Sequence, residues 1–350
     1  MSSESVQSGA APVAQGRRSL PPLPFLRRPL FFEIFLLAQL PLVHLVFFRA
    51  RLPIGPVQAY VPLISMVEPI VFIAAVALAG HLVASAVRRH ARDYLRTIVS
   101  VRWLVLTARL MFFFLITIWV YESIKVTLPV TRAEWFDIRL SQIDRFIFGG
   151  RSPNEFLLTL FAWPPFLRFV DWSYAAVFQN SLFASLVVFL SLKNERVRVA
   201  FFTGTAVLWI TGAWLYYLVP AMGPAYRFQV IWADLGNALP TTIGSQAALL
   251  RNFIAVLKLK EGIIDPSVHI SLGIAAFPSL HVASVSFIAL WVAALWRRSA
   301  LVGALITAVI FVGSVVTGWH YLVDSLAGLV LGVLCFLLTF YGYRIPEALA

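Results

Sequence analysis

The chain has 350 residues, of which 60% are hydrophobic and only 13% are charged. A soluble globular protein carries about 25% charged residues, so this composition excludes a soluble protein and indicates a polytopic membrane protein. The formal net charge is +12, but the arginines collect at the ends of apolar runs and form no basic stripe that would bind nucleic acid. We therefore predict an all-α chain whose partners are membrane lipids and not a nucleic acid.

The chain begins with a segment that is rich in Ser, Ala, Gly and Pro. Residues 1–24 contain no long apolar core, which predicts a disordered cytoplasmic tail and not a cleaved signal. Further along, apolar runs near the about 20 residues that cross a bilayer predict about eight transmembrane helices. They cover about 29–48, 61–87, 103–121, 172–192, 200–219, 279–296, 301–319 and 321–341. The first three form an N-terminal membrane region at 25–125, and the others belong to a second domain at 126–345.

Short basic loops indicate how the chain is oriented in the membrane. The loops at 88–102, 193–198 and 297–298 are rich in Arg and Lys, and the positive-inside rule places them in the cytoplasm together with the N-terminus. Segment 122–171 then lies outside, where alternating apolar and charged residues predict short amphipathic helices in the interface. The long outside loop at 220–278 is expected to be functional, with a short amphipathic helix at about 249–257.

Two motifs place histidines at the borders of apolar runs. Phe-Pro-Ser-Leu-His (277–281) begins the sixth span, and His-Tyr-Leu-Val-Asp (320–324) follows the seventh. Because these spans are antiparallel with an inside turn, His281 and His320 are expected at the same outer membrane face, together with Arg227 after the fifth span. Ionisable side chains are costly in such positions, so they indicate a functional site.

The residue types fit phosphoryl transfer. His320 and Asp324 are four apart, so on a helix the carboxylate would hold one ring nitrogen and leave the other as a nucleophile or base. His281 follows Pro278 and Ser279 at a helix start, where free N–H groups favour an anion. One imidazole attacks phosphorus and the other protonates the leaving oxygen, which requires no metal and no cofactor. A transition-metal site is the alternative, but no further His or carboxylate stands at ligand spacing.

These motifs resemble those of the type 2 phosphatidic acid phosphatase superfamily. The matching segments are Gly-Pro-Ala-Tyr-Arg-Phe (223–228), Phe-Pro-Ser-Leu-His-Val-Ala (277–283) and 320–324 with Gly328 after it. Leu280, where the phosphatases have Gly, and the His-Tyr pair favour the branch of inositol phosphorylceramide synthase and sphingomyelin synthase. The resemblance covers about 130–342 and implies a six-helix core with interfacial helices, which the third span would complete.

The resemblance also implies a role for each motif residue. His320 would be the nucleophile that forms a phosphohistidine, supported by Asp324. His281 would be the general acid for the leaving alcohol and then the base that activates the acceptor. The residues that it places at the substrate phosphate are Gly223, Tyr226, Arg227 and Ser279.

Two departures from the phosphatase pattern bear on the substrate. The phosphatases carry a Lys and an Arg in the first motif and an Arg six residues before the last His, whereas this chain has Arg227 and Ser314. One arginine serves a phosphodiester monoanion better than a monoester dianion, which favours a phospholipid donor. Lys258 and Lys260 offer compensating charge from the loop.

We therefore predict an integral-membrane phosphotransferase in the cell inner membrane, with its active site on the extracytoplasmic face. It would move a phosphate-linked head group from a phospholipid donor to a lipid or polyol acceptor. Two alternatives remain open at this point. One is a hydrolase that uses water on a lipid phosphate or a polyprenyl diphosphate, and the other is a non-enzymatic lipid-binding or transport protein with an inactive site.

Overall fold

The computed structural model describes residues 30–52, 91–263 and 273–349, together with a few isolated helical residues between 75 and 86. In these ranges the chain is helical and contains no β-strand, which confirms the predicted all-α class. The tail at 1–24 and nearly all of the predicted span at 61–87 lie outside the described residues.

Six helical segments of the described chain are long and apolar enough to cross a membrane. They are Phe31–Ala50, Val101–Thr131, Pro164–Ser191, Glu195–Leu218, Arg297–Val316 and Leu322–Gly342. A seventh apolar helix, Leu280–Leu295, has 16 residues and matches the predicted sixth span. Seven of the eight predicted spans thus correspond to apolar helices, and the count of about eight stays a prediction.

We number the described helices in chain order. They are α1 (Phe31–Leu37), α2 (Gln39–Ala50), α3 (Ala91–Ile98), α4 (Val101–Thr131), α5 (Asp137–Ile147), α6 (Pro153–Leu160), α7 (Pro164–Ser191), α8 (Glu195–Leu218), α9 (Pro224–Arg227), α10 (Pro240–Lys260), α11 (Leu280–Leu295), α12 (Ala300–Val316), α13 (Leu322–Gly342) and α14 (Ile345–Leu349). Two 3₁₀ turns, Gln229–Leu235 and Arg297–Ser299, precede α10 and α12. α4 reaches Thr131 instead of 121, and α10 is much longer than the predicted 249–257, because its polar first half hid the helical pattern.

The core is a bundle of six helices. α11 lies at its centre and packs against α12, α13, α7 and α8, while α4 packs against α8. The third predicted span, now α4, is therefore the sixth core member. α1 and α2 pack on the outside of α4 and α8.

Glycines let α13 approach α11 closely. A Cβ atom at Gly328 would overlap the Ser279 carbonyl oxygen, and one at Gly332 would overlap Ser286 Oγ and the Ala283 carbonyl oxygen. Backbone atoms of α11 cannot move aside without shifting the helix. This contact fixes the distance between α11, which carries His281, and α13, which follows His320.

Replacing Gly332 by alanine should destabilise the protein, because overpacking of a filled contact costs about 1–3 kcal/mol. Gly342→Ala in the same helix is the matched control, since a Cβ there has nothing within 4 Å. Thermal melting of both purified variants in detergent tests the prediction. Equal melting temperatures of the two variants would show that α13 can move away from α11 without loss of stability.

Candidate active site

The two motif histidines lie next to each other at one end of the bundle. His281 is the second residue of α11, whose first turn is capped by Ser279: its Oγ accepts a hydrogen bond from Val282 N–H at 3.4 Å. His320 lies in the turn between α12 and α13, where its N–H donates to the Ser314 carbonyl at 3.1 Å. The two imidazole centroids are 5.8 Å apart. Both rings are thus close enough to act on one bound group.

A backbone carbonyl fixes the tautomer of His320. Its Nδ1 lies 2.8 Å from the Ala276 carbonyl oxygen. A carbonyl oxygen only accepts hydrogen bonds, so Nδ1 carries the hydrogen and Nε2 keeps its lone pair. Burial of the ring lowers the pKa of His320 to about 3, which keeps the imidazole neutral at physiological pH. His320 therefore offers Nε2 as a nucleophile or a base.

Asp324 does not make the hydrogen bond to His320 that the four-residue spacing predicted. Its Oδ2 lies 3.7 Å from His320 Nδ1 and accepts instead from the Tyr321 N–H at 2.9 Å, as in a capping box. His320 precedes the first helical residue, Leu322, so the helical face rule does not apply to it. Asp324 thus supports the turn of His320 through the Tyr321 N–H, while the Ala276 carbonyl sets the tautomer.

The turn that carries His320 is held by polar side chains of α5 and α6. The Asp144 carboxylate accepts from Leu322 N–H at 2.7 Å and from Val323 N–H at 2.8 Å, which caps the N-terminus of α13. The Asn154 Nδ2 donates to the His320 carbonyl at 3.2 Å. Burial raises the pKa of the Asp144 carboxyl to about 6, and the two backbone N–H groups oppose that rise. α5 and α6 thus position the histidine turn.

A second buried carboxylate joins the first and third motifs. Asp137 accepts from Gly223 N–H at 2.9 Å, from Met222 N–H at 3.1 Å and from Tyr321 Oη at 3.0 Å. Burial raises its pKa, and these three hydrogen bonds lower it in part. Sequence reasoning missed both carboxylates, because the charges of α5 were assigned to the membrane interface. Their seven-residue spacing with Leu140 between them puts all three on one helix face, and that was the available signal.

Both histidines line a cavity of about 430 Å³. Its polar end holds Lys125, Tyr174, Tyr216, Tyr226, His281, Trp319 and His320. Its deeper wall is apolar and includes Phe114, Leu115, Ile118, Leu182, Phe183 and Trp209. Along α4, the step from Lys125 back to Phe114 corresponds to about 16 Å at the helical rise. The cavity therefore joins a reactive polar end to an apolar shaft inside the bundle.

Aromatic side chains of α7 hold the second histidine. The His281 ring packs at 4.9 Å from the Tyr174 ring and at 4.2 Å from the Phe178 ring, measured between centroids. These contacts leave one edge of the imidazole toward His320 and the cavity. Within the described ranges, no three His, Cys, Asp or Glu side chains are grouped closely enough to hold a metal ion.

The structure brings only one of the four predicted phosphate-binding residues into the cavity wall. Tyr226 lines the cavity, and its Oη donates to the Gln246 carbonyl at 3.2 Å. Arg227 is exposed on the short helix α9 and is not part of the wall. Ser279 is a buried helix cap. Gly223, at φ +101°, allows the Trp319 carbonyl oxygen to approach to 2.5 Å of where a Cβ would lie.

The cation that lines the cavity comes from α4. Lys258 and Lys260, which the sequence suggested as compensating charges, are exposed on α10. Lys125 is the one Lys or Arg among the described residues of the cavity wall. Sequence reasoning missed Lys125 because the predicted third span ended at 121, which left this lysine in the outside segment and in no motif.

The sequence model of the PAP2 superfamily matches residues 138–338, more than half of the chain. This chain belongs to the PAP2 superfamily. The superfamily prediction is thereby confirmed, whereas the synthase branch stays a prediction. Membership is consistent with lipid phosphatase or phosphotransferase chemistry. No curated protein and no solved structure matches the chain. The PAP2 match begins within α5, so α4 and its Lys125 lie outside the shared domain.

Proposed function

We propose that this PAP2 protein is an integral-membrane phosphotransferase that moves a phosphate-linked head group from a phospholipid donor to a lipid or polyol hydroxyl. The observation that carries the proposal is the shared cavity. His281 and His320 stand at its polar end, and the shaft behind them is lined by apolar side chains. A phospholipid fits both parts, with its phosphate at the imidazoles and its acyl chains against apolar residues.

In the first step, the Nε2 lone pair of His320 attacks phosphorus. A P–N bond forms, the P–O bond to the diacylglycerol oxygen breaks, and His281 in its imidazolium form gives that oxygen a proton. The products are a diacylglycerol and phosphohistidine at His320. Asp324, at 3.7 Å from Nδ1, stabilises the positive charge that develops on the ring.

In the second step, His281 reverses its role. The now neutral imidazole takes the proton of the acceptor hydroxyl, whose oxygen attacks phosphorus. The P–N bond breaks, and its electron pair returns to His320 Nε2. Water in the acceptor position would give hydrolysis by the same steps, so occupancy of the acceptor site separates a transferase from a hydrolase.

The charges at the cavity favour a phosphodiester donor. A monoester dianion needs more positive charge than Lys125 alone supplies, and Arg227 is exposed outside the wall. A diester carries a single negative charge. Leu280 and the His320–Tyr321 pair, which match the inositol phosphorylceramide synthase and sphingomyelin synthase branch, support the same choice.

The active site is proposed to face the extracytoplasmic side of the cell inner membrane. The histidine end of the bundle contains the start of α11 and the end of α12, while Arg297 and Arg298 lie in the turn at the opposite ends of these helices. The positive-inside rule puts that basic turn in the cytoplasm, together with the N-terminus.

A reconstituted assay tests the proposal. The purified protein in vesicles receives phospholipids with labelled head groups and a panel of lipid and polyol alcohols. We expect labelled transfer product and unlabelled diacylglycerol in equal amounts. Free phosphate released from monoester lipids, at a rate that added alcohols do not change, would establish a hydrolase instead. Turnover of none of the lipids would favour a lipid-binding or transport role.

A further inference from the structure

The outer end of α4 brings two ionisable side chains into the cavity from outside the shared PAP2 domain. One face of α4 lines the wall with Phe114, Leu115, Ile118, Tyr121, Glu122 and Lys125. The first three are apolar and lie deep, whereas Glu122 and Lys125 lie at the level of the histidines. Ionisable residues inside a membrane bundle are costly and mark functional sites by default.

Lys125 is held in place but keeps hydrogen-bond capacity. Its Nζ donates to the Tyr121 Oη at 2.9 Å and lies 6.0 Å from the centre of the Tyr216 ring. Tyr216 belongs to α8 and lines the cavity together with His281. An ammonium group has three donors, so two remain for a ligand. Lys125 lines the same cavity as both imidazoles, so a ligand bound there can reach these donors.

Glu122 is buried, and one of its carboxylate oxygens has no hydrogen-bond partner among the described residues. The residue is 9% exposed, and that oxygen is Oε2. The residue is one helical turn from Lys125, yet the Lys125 Nζ donates to a tyrosine, and no described carboxylate oxygen lies within 4.0 Å of it. The two side chains thus form no direct ion pair, although the charge of Lys125 acts on Glu122 through space. The buried Glu122 Oε2 keeps its capacity to accept a hydrogen bond from a ligand.

We propose that Lys125 and Glu122 form the head-group subsite of the cavity. Lys125 binds a non-bridging oxygen of a phosphodiester, and Glu122 accepts a hydrogen bond from a hydroxyl or ammonium group of the same head group. The proposal rests on the proposed function for the position of the phosphate and deepens it by assigning residues to head-group recognition.

The charge pattern supports this assignment. A phosphodiester head group has an anion at phosphorus and, a few bonds away, a hydroxyl or ammonium donor. Lys125 provides a cation for the phosphate, and Glu122 provides an acceptor for the donor group. The two residues lie about one helical turn apart, about 5 Å along the helix axis. Lys125 also supplies the positive charge that the sequence lacks at position 314.

Binding of three short-chain lipids tests the role of Lys125. Dihexanoyl phosphatidylethanolamine carries an ammonium, phosphatidylglycerol carries hydroxyls, and phosphatidylmethanol has a phosphodiester without any donor. Lys125→Met should weaken binding of all three by about tenfold or more, since a hydrogen bond to a charged group is lost. Lys125→Arg should bind each lipid within about threefold of the wild-type affinity, because the charge is kept. Lys258→Met, which replaces an exposed lysine, is the matched control. Unchanged binding by Lys125→Met overturns its role.

Glu122 is tested with the same lipids, and its variants identify the donor. If the donor is an ammonium, Glu122→Gln should weaken the binding of phosphatidylethanolamine by about tenfold and leave the binding of the other two lipids unchanged. If it is a hydroxyl, Glu122→Ala should weaken phosphatidylglycerol by about tenfold, while Glu122→Gln stays within about threefold. Phosphatidylmethanol should bind equally to all Glu122 variants. If Glu122→Ala binds all three lipids as tightly as the wild-type protein does, the role of Glu122 is overturned.

The binding measurement tests this subsite independently of the proposed reaction. Lipid binding is measured as the lipid-dependent rise of the melting temperature of purified protein, which also reports whether each variant folds. Wild-type protein that binds the lipids but transfers no head group would contradict the phosphotransferase proposal and leave the subsite intact. Wild-type protein that binds none of them overturns the subsite.

Discussion

Replacing His320 by alanine should abolish head-group transfer and the phosphorylated enzyme at the same time. The Nε2 of His320 is the proposed attacking atom, because the Ala276 carbonyl occupies Nδ1. A missing nucleophile removes the covalent step itself, so activity should fall to the detection limit. Rapid quenching in base with a phosphorus-labelled donor, followed by detection of the acid-labile phosphohistidine, measures both quantities.

His281→Asn should give a different pattern. Loss of a general acid costs about 10²–10⁴-fold when the leaving alcohol needs a proton. A donor with a nitrophenol leaving group needs none, so His281→Asn should still form phosphohistidine with that donor. His44→Ala is the control, because His44 is exposed on α2 and its Nδ1 lies at hydrogen-bond distance from the Leu40 carbonyl of the same helix. Phosphorylated protein from His320→Ala would refute the assignment.

The pairing of the histidines was predictable from sequence because it depends on topology alone. A 16-residue helix, a short basic turn and a 17-residue helix connect the two motifs, so antiparallel packing returns the chain to the same membrane face. The contact to Asp324 was not predictable from spacing. α13 begins at Leu322, and the carboxylate of Asp324 caps that helix through Tyr321 N–H instead.

The cations were misjudged for a related reason. Arg227 lies in a motif, but α9 has only four residues, and its last side chain turns outward to solvent. Lys125 lies in no recognised motif, and only the packing of α4 against α8 shows that it faces the histidines. Motif spacing reports which residues are near in the chain, whereas the cavity wall depends on how helices are rotated about their axes.

Asp144→Ala should lower both stability and activity, although Asp144 does not line the cavity. Its carboxylate holds the N–H groups of Leu322 and Val323 at 2.7 and 2.8 Å. Loss of a helix cap costs about 0.5–2 kcal/mol, and loss of hydrogen bonds to a charged group costs more, so we expect about 2–4 kcal/mol. A shift of His320 by about 1 Å can cost about 10²-fold in rate.

Asp171 offers a matched control for this prediction, because it makes the same kind of cap at another helix. Its carboxylate accepts from Thr241 N–H at 2.9 Å and from Thr242 N–H at 2.7 Å, at the start of α10. Asp171→Ala should lower the melting temperature by a similar amount but reduce the transfer rate less. Thr241 and Thr242 line the cavity, but α10 carries neither reacting histidine. Both rates are measured well below the melting temperatures, with saturating donor. Equal losses of rate in the two variants would mean that Asp144 supports only the general stability of the bundle, whereas a selective loss in Asp144→Ala shows that the cap of α13 positions His320.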